Sequence, residues 1–340
     1  MKRKSKLAPK REGRLTAIVI TRQTTLLMAF AVLVFVFTVV LVSSLDDIRR
    51  MVYGAKPGVT LETRIISGYL PNEVRRVVEA MAEQERTAPK DAMFFKETGE
   101  LIPEEPGLDI DVDLTVNQVM RAKPGEKVQL ARIVIAPAVT MRHFDPVYRI
   151  NTGRQAMAMA VNIAWGEEHL PRLLEILREH NMKVTFFIDG EWAQKFPDMV
   201  RLLNEEGHEV ANHGYRHVHV EKMSESTIRK LISDNEKLLI SLEVTPSRLF
   251  SPPYGECNQT VVSAAASLGY TTTMWTIDTL DWNTQDSTKV SGRVIPKIAP
   301  GAIILAHPTL SFLEALPVIV DASRKAGYGF FTISDLLESE

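Results

Sequence analysis

The apolar positions of this chain change their spacing along its length, and each spacing predicts a different structure. Residues 26–42 read LLMAFAVLVFVFTVVLV, without a charge or a proline. With Thr24, Thr25 and the Ser43-Ser44-Leu45 tail the run reaches the ~20 residues that cross a bilayer as a helix. It is apolar all round, whereas a core helix of a soluble protein shows one apolar face. From 46 to 154 the pattern shortens. Val74, Val77, Val78 and Met81 share one face of a helix over 70–85, with Pro71 early in it. A hairpin is expected over 92–103 around Thr98-Gly99, then a helix over 114–122 that stops at Lys123-Pro124-Gly125. A strand over 127–135 follows, bounded by Pro137, so that 46–154 makes a small α+β module.

From 157 onward short apolar runs alternate with amphipathic ones. Strands are expected at 157–163, 184–188, 209–211, 248–250, 270–277, 302–306 and 329–332. Helices are expected between them at 169–180, 192–206, 224–242, 260–268, 290–298 and 312–326. Helical crossovers of this length imply parallel pairing, hence an α/β sheet or barrel over 155–340. In such folds chemistry sits beyond the C-terminal strand ends. The unusual polar residues fall there: Asn212-His213-Gly214-Tyr215-Arg216-His217, Ser251-Pro252-Pro253-Tyr254-Gly255, Asp278-Thr279-Leu280-Asp281-Trp282 and His307-Pro308.

Composition and charge narrow the setting. The 340 residues suit two domains plus an anchor, and a formal net charge of −2 gives no reason to expect nucleic acid as a partner. The single cysteine, Cys257, excludes an internal disulfide and a cysteine-based zinc cluster. Ahead of the apolar run stand Lys2, Arg3, Lys4, Lys6, Lys10, Arg11, Arg14 and Arg22 against Glu12 alone. Such a flank stays inside, making 1–23 a cytoplasmic tail, 24–45 a single-pass anchor in the cytoplasmic membrane, and the rest extracytoplasmic. The rival is a signal peptide cleaved near Val42-Ser43-Ser44, although its apolar core would span only ~7–15 residues. Either way the rest is exported.

The line Lys183-Val-Thr-Phe-Phe-Ile, Gly207-His208-Glu209-Val210-Ala211-Asn212-His213, His217, then PPYG, DxxDW and a strand ending in His307, resembles the polysaccharide deacetylases of carbohydrate esterase family 4. That NodB-homology resemblance covers about 157–337. It implies a deformed (β/α) barrel and a divalent metal, zinc or cobalt, that hydrolyses N-acetyl groups of amino-sugar polymers. It makes His213 and His217, four apart and able to reach one metal, the metal ligands. It makes His307 the general acid, oriented by Asp281, and Trp282 a wall of the substrate groove. Pro252, Pro253, Tyr254 and Gly255 shape the other wall, with a backbone N–H of Tyr254 in the oxyanion site.

Departures from the pattern matter as much. Where the family reads Thr-Phe-Asp-Asp-Gly, this chain reads Asn162-Ile163-Ala164-Trp165-Gly166, so Ala164 replaces the base and Trp165 a metal ligand. Ser251 replaces the arginine that pairs with the base, and a buried guanidinium without its carboxylate is costly, so the two losses belong together. With two ligands left, the metal is expected to bind weakly or not at all. Glu167, Asp189 and Asp278 are the candidate substitutes, Glu168 beside them; Glu167 and Glu168 also suit a helix N-terminus for its dipole alone. The altered motif is similar to the sporulation-associated, YlxY-type branch of the family. Residues 92–111 with Pro137-Ala138-Val139-Thr140 resemble the peptidoglycan-binding module that accompanies VanW-type proteins, so 46–154 is either wall-binding or a spacer. The expected partner is peptidoglycan or another N-acetylated polysaccharide. The expected function is that of a membrane-anchored deacetylase-family hydrolase, the alternative an inactive glycan-binding or envelope scaffold protein.

Overall fold

The structure, a computed structural model, describes residues 22–339. The basic residues from Lys2 to Arg14 lie outside the described residues. Arg22–Tyr53 is one 32-residue helix with a mean hydropathy of 2.9 in its most apolar stretch, none of which is buried. By length and composition it can cross a membrane. It continues past the expected end at Leu45 because Arg50 gives it an anchor: the guanidinium pairs with Asp46 one turn back (3.0 Å) and forks onto the Glu73 carboxylate at 2.7 and 2.8 Å. Arg50, and next to it the Leu70 N–H, hold the Glu73 carboxyl down to about 2.

Packing divides the chain into residues up to Thr87 with Leu108–Val134, and Ala88–Gly107 with Ile135 onward. The stretch 46–154 is thus shared between two units. In the first unit, helices Pro71–Glu85 and Val112–Arg121 bury Val74, Val78, Val116 and Val119 with Val59, Leu61 and Ile66. The strand expected over 127–135 is broken into Lys127–Val128 and Arg132–Ile135, in different sheets. Side chains cause the break: Glu62 Oε1 takes the Leu130 N–H and Thr115 Oγ1 takes the Ala131 N–H, so neither joins a ladder.

In the second unit the hairpin Met93–Phe95/Glu100–Ile102 forms as expected, Phe94 opposite Leu101. The Asp91 carboxylate accepts the Ala138 and Val139 N–H groups, which ties the hairpin's entry to this unit. Eight parallel strands follow: β1 (Ala156–Ile163), β2 (Thr185–Ile188), β3 (Glu209–Asn212), β4 (Leu249–Phe250), β5 (Thr271–Thr272), β6 (Ile277–Asp278), β7 (Ile303–Ala306) and β8 (Gly329–Phe331). Their order is 5-4-3-2-1-7-6, with β8 beside the start of β1. This is the curled (β/α) barrel that the sequence predicted.

The strand expected over 270–277 is two strands at opposite edges of the sheet. Between them the chain crosses the gap: the Thr273 N–H reaches Phe250 O on one side, and the Thr276 N–H reaches Ile303 O on the other. The helix expected over 192–206 is also two, Gly190–Lys195 and Pro197–Glu205, because Pro197 has no N–H to continue the first.

β1 is buried along its whole length, and its alternation sorts the core. Met157, Met159, Val161 and Ile163 pack under the surrounding helices, while Ala156, Ala158 and Ala160 face inward with Phe187, Ala211 and Ile303. Small residues inside leave room for Phe187 and for Ile333 and Leu336, which fill the closed end. By the same period of two, Asn162 and Ala164 come next on the inner face, at the open end.

The second unit also reaches upstream of 155. The Val147 N–H donates to Thr272 O (2.9 Å), Val147 O accepts from Met274, and buried Ile150 donates to Gly301 O (2.9 Å). A chain cut to 155–340 is therefore expected to be less stable than one cut to 135–340. Loss of Ile150 burial alone removes about 2 kcal/mol. Urea unfolding of both truncations checks this, and equal midpoints would show that 135–154 adds nothing.

Candidate functional site

At the open end of the barrel lies a cavity of about 460 Å³ lined by residues at or after the ends of β1, β3, β4, β5, β6 and β7. It brings together His213, His217, Tyr254, Gly255, Trp282, His307, Asp278, Ala164 and Trp165, all singled out in the sequence. Asn162, Trp275 and Leu305 join them unforeseen. The inward alternation of β1 was the available signal for Asn162. Trp275 was hidden inside the stretch misread as one strand.

His307 is held from behind. Asp281, 2% exposed, accepts the His307 ring Nδ1–H (3.0 Å) and backbone N–H (2.9 Å), and the hydroxyls of Thr279 (2.8 Å) and Thr309 (2.9 Å). Desolvation is the largest single influence on this carboxyl and pushes it up. The bonds and charge of His307, with Thr279, together outweigh it and hold the group below the ordinary carboxylate range. Asp281 is thus ionised, which fixes the His307 tautomer and leaves Nε2 for the cavity. Leu280, at φ 50°, turns the backbone so that Asp281 points inward while its neighbour Trp282 is exposed.

His213 is 2% exposed, and its Nδ1 lies 2.7 Å from Ser251 O. A carbonyl only accepts, so Nδ1 carries the proton and Nε2 a lone pair. Burial first, then the neighbouring His217, pushes the His213 imidazole down to about 3, and burial likewise lowers His217. The two rings lie 5.2 Å apart, centroid to centroid. His217 meets the edge of Tyr254 (4.3 Å), and His219 stacks on that same ring (4.2 Å). Tyr254 takes φ 59°, and Gly255 follows at φ 67°, where a Cβ would run into Trp275. Pro252 and Pro253 are buried beneath this turn.

Ser251 is buried, its hydroxyl bonded by the Asn162 amide (3.2 Å). Trp165 is 44% exposed and stacks on His307, rings 9° from parallel and 5.8 Å apart. Gly166, at φ 84°, lets the loop pass so close to Pro308 that any Cβ would strike its carbonyl, which brings Trp165 beside His307.

The candidate substitutes separate. Only Asp278 reaches the cavity, with Oδ1 accepting the Leu280 N–H (2.8 Å). Glu167 and Glu168 form a short 3-10 turn before helix Leu170–Glu179 and do not line it. Asp189 caps the helix Gly190–Lys195 through the Trp192 N–H (3.0 Å), and its other oxygen is buried without a partner. As a metal site, the two neutral imidazoles suit a divalent ion, His213 with its outer nitrogen on a backbone carbonyl as ligating histidines usually have. Among the described residues, however, no three His, Cys, Asp or Glu side chains converge to hold one. A catalytic zinc takes three protein ligands. The residues present fall one donor short and do not fit a firmly held catalytic metal.

Comparison with known proteins places this geometry. The polysaccharide deacetylase family model matches residues 149–273. The uncharacterized protein YlxY of Bacillus subtilis is 30% identical over 240 residues, 70% of this chain and 75% of that one. A peptidoglycan-N-acetylglucosamine deacetylase of Bacillus cereus is 31% identical over 50% of this chain and 82% of its own. Among solved structures, BA3943 of Bacillus anthracis, a CE4 family pseudoenzyme, superposes with a TM-score of 0.57 at 30% identity, over 78% of this chain and 95% of that one. A BA3943 mutant with restored enzymatic activity aligns with the same TM-score over 98% of its length.

Asp189 gives a measurable pH signature. Its burial, above all other influences, pushes the carboxyl from 3.8 up to about 7. Between those values the folded chain binds more protons than the unfolded one, so this group's contribution is full below pH ~4 and is lost as pH rises through ~7. Asp189→Asn keeps a capping oxygen and cannot ionise. Wild type and variant are expected to differ least near pH ~4, with the variant ahead by about 4 kcal/mol near pH ~8. Denaturant melts across that range giving parallel curves would refute the assignment.

Proposed function

Since this chain belongs to the polysaccharide deacetylase family, hydrolases of carbon–nitrogen bonds, we propose that it engages peptidoglycan or a related amino-sugar wall glycan in this groove while hydrolysing it poorly or not at all. One observation carries the reading: the loop after β1 offers Ala164 and Trp165 to the cavity, with Trp165 stacked on His307. Amide hydrolysis needs a base to activate water, a polarised carbonyl and an acid for the leaving amine. The acid position survives, as His307 held by Asp281. The base and third metal ligand of the family are replaced by Ala164 and Trp165, and the base's arginine by Ser251. The family's metal dependence is therefore not matched by this donor set. What remains is a groove with aromatic walls, Tyr254 and Trp282, suited to stacking on sugar rings. Relatives named for peptidoglycan deacetylation support wall glycan as the ligand.

The helix Arg22–Tyr53 and the basic flank support a single-pass anchor with the groove outside the cytoplasmic membrane. Residues 46–154 then serve as a spacer or add wall contacts. Protease added to intact protoplasts is expected to digest the C-terminal unit. Protection until the membrane is broken would reverse the orientation.

The catalytic reading is tested on acetate release from wall glycan and on glycan sedimentation by the same protein. The unaltered chain is expected to bind glycan with acetate at background. Ala164→Asp with Trp165→Asp and Ser251→Arg should raise acetate release by about 100-fold, since losing a general base costs ~10²–10⁴-fold. Ala164→Asp alone should do little, because a carboxylate beside buried Ser251 lacks the cation that keeps it ionised. The gain should be far from additive. Acetate release by the unaltered chain near the triple variant's rate would sink the reading.

A further inference from the structure

The cavity's chemistry is unbalanced in a way that the loss of hydrolysis does not explain. Four aromatic rings line it: Trp165, Tyr254, Trp275 and Trp282. Among the described residues no lysine or arginine lines it. Its hydrogen-bonding groups include several acceptors, beside the indole N–H and phenol O–H donors of the rings. Asp278 spends one oxygen on the Leu280 N–H and, among the described residues, forms no ion pair; Arg293 bonds only its backbone carbonyl (3.1 Å). The Asn162 amide, buried in the wall, leaves Oδ1 without a donor, and His213 Nε2 carries a lone pair. Behind His307 sits the ionised Asp281.

Such a lining suits a cation that donates hydrogen bonds. An ammonium has three donors and no acceptor, and it is attracted to the faces of indole and phenol rings. An acetamido group is uncharged and gains neither the attraction of the Asp278 carboxylate nor that of the ring faces for a cation. Trp165 sharpens the contrast. It brings a π face beside His307, at a motif position where the family has a carboxylate.

We propose that the cavity binds the ammonium group of an already de-N-acetylated amino sugar in the glycan, with Asp278 as its counter-ion and Trp165 as its stacking face. The chain then recognises what a deacetylase leaves behind. This rests on the glycan-binding reading above and adds to it the choice between the two forms of the sugar.

The test uses the full chain in detergent, with chelator present so that no metal bridges protein and ligand. Oligomers of N-acetylglucosamine and the same oligomers fully de-N-acetylated are titrated by calorimetry in mildly acidic buffer, where the sugar amine is protonated. The de-N-acetylated oligomer is expected to bind about tenfold more tightly. Asp278→Asn should bring the two within about twofold by weakening only the amine form. Trp165→Ala, at a side chain 44% exposed, should also lower the preference. Asp198→Asn, on the exposed outer surface, should leave the preference intact. Equal or tighter binding of the acetylated oligomer overturns this inference and leaves the glycan-binding reading standing. Binding of neither oligomer overturns both. A preference that Asp198→Asn abolishes as fully as Asp278→Asn marks general charge attraction and overturns the assignment to this cavity.

Discussion

The strand Ala156–Ile163 constrains the whole C-terminal unit, because all eight of its residues are buried and it pairs with three other strands. A strand buried on both faces tolerates no slip: moving its register by one residue would send Met157 and Met159 into a centre sized for alanine. That rigidity reaches the site directly. Asn162 and Ala164 continue the inward alternation, and the chain then turns at Gly166 against Pro308, which brings Trp165 beside His307. The loop that departs most from the family's chemistry is held by the least adjustable strand of the fold.

Two opposite electrostatic treatments meet around the cavity. Asp281 is buried and kept charged, because four donors converge on its carboxylate and its desolvation is overcome. His213 is buried and kept neutral, because it gains only one carbonyl acceptor and sits beside another imidazole. Asp189, immediately after β2, has one backbone partner and an oxygen with none, and is driven toward protonation. Number of partners, not depth, separates Asp281 from Asp189. The same criterion distinguishes an orienting carboxylate, worth its burial, from a helix cap that gains little by being charged.

The residue changes at the rim form one physical set. Ser251 lies under His213 and bonds Asn162, an uncharged arrangement that needs no counter-ion. An arginine there would demand a carboxylate on the strand opposite, where Ala164 now stands. Among the described residues no carboxylate or cationic side chain lines that side of the cavity, while on the other side stand Asp278 and, behind His307, Asp281. The result is a groove with aromatic walls and an oriented His307, its carboxylates confined to one side.

The sequence by itself determined the class of fold, the placement of polar motifs at strand ends and the family, since these rest on local periodicity and on residue identities that are the same in any conformation. His213, His217, His307, Asp281 and Trp282 were all legible this way. So were Ala164 and Trp165, which the structure also brings to the cavity. Tertiary structure alone decided the rest. The residues 270–277 look like one strand because β-branched and aromatic residues fill both halves, yet pairing sends Thr271–Thr272 and Ile277–Asp278 to opposite edges. Glu167, Asp189 and Asp278 were equivalent as carboxylates after strands, and only the direction in which each backbone turns leaves Asp278 in the cavity and makes Asp189 a cap. The stacking of Trp165 on His307 joins residues far apart in the chain. Local pattern specifies which way a side chain alternates. What that side chain meets depends on non-local packing, and no short window of sequence contains it.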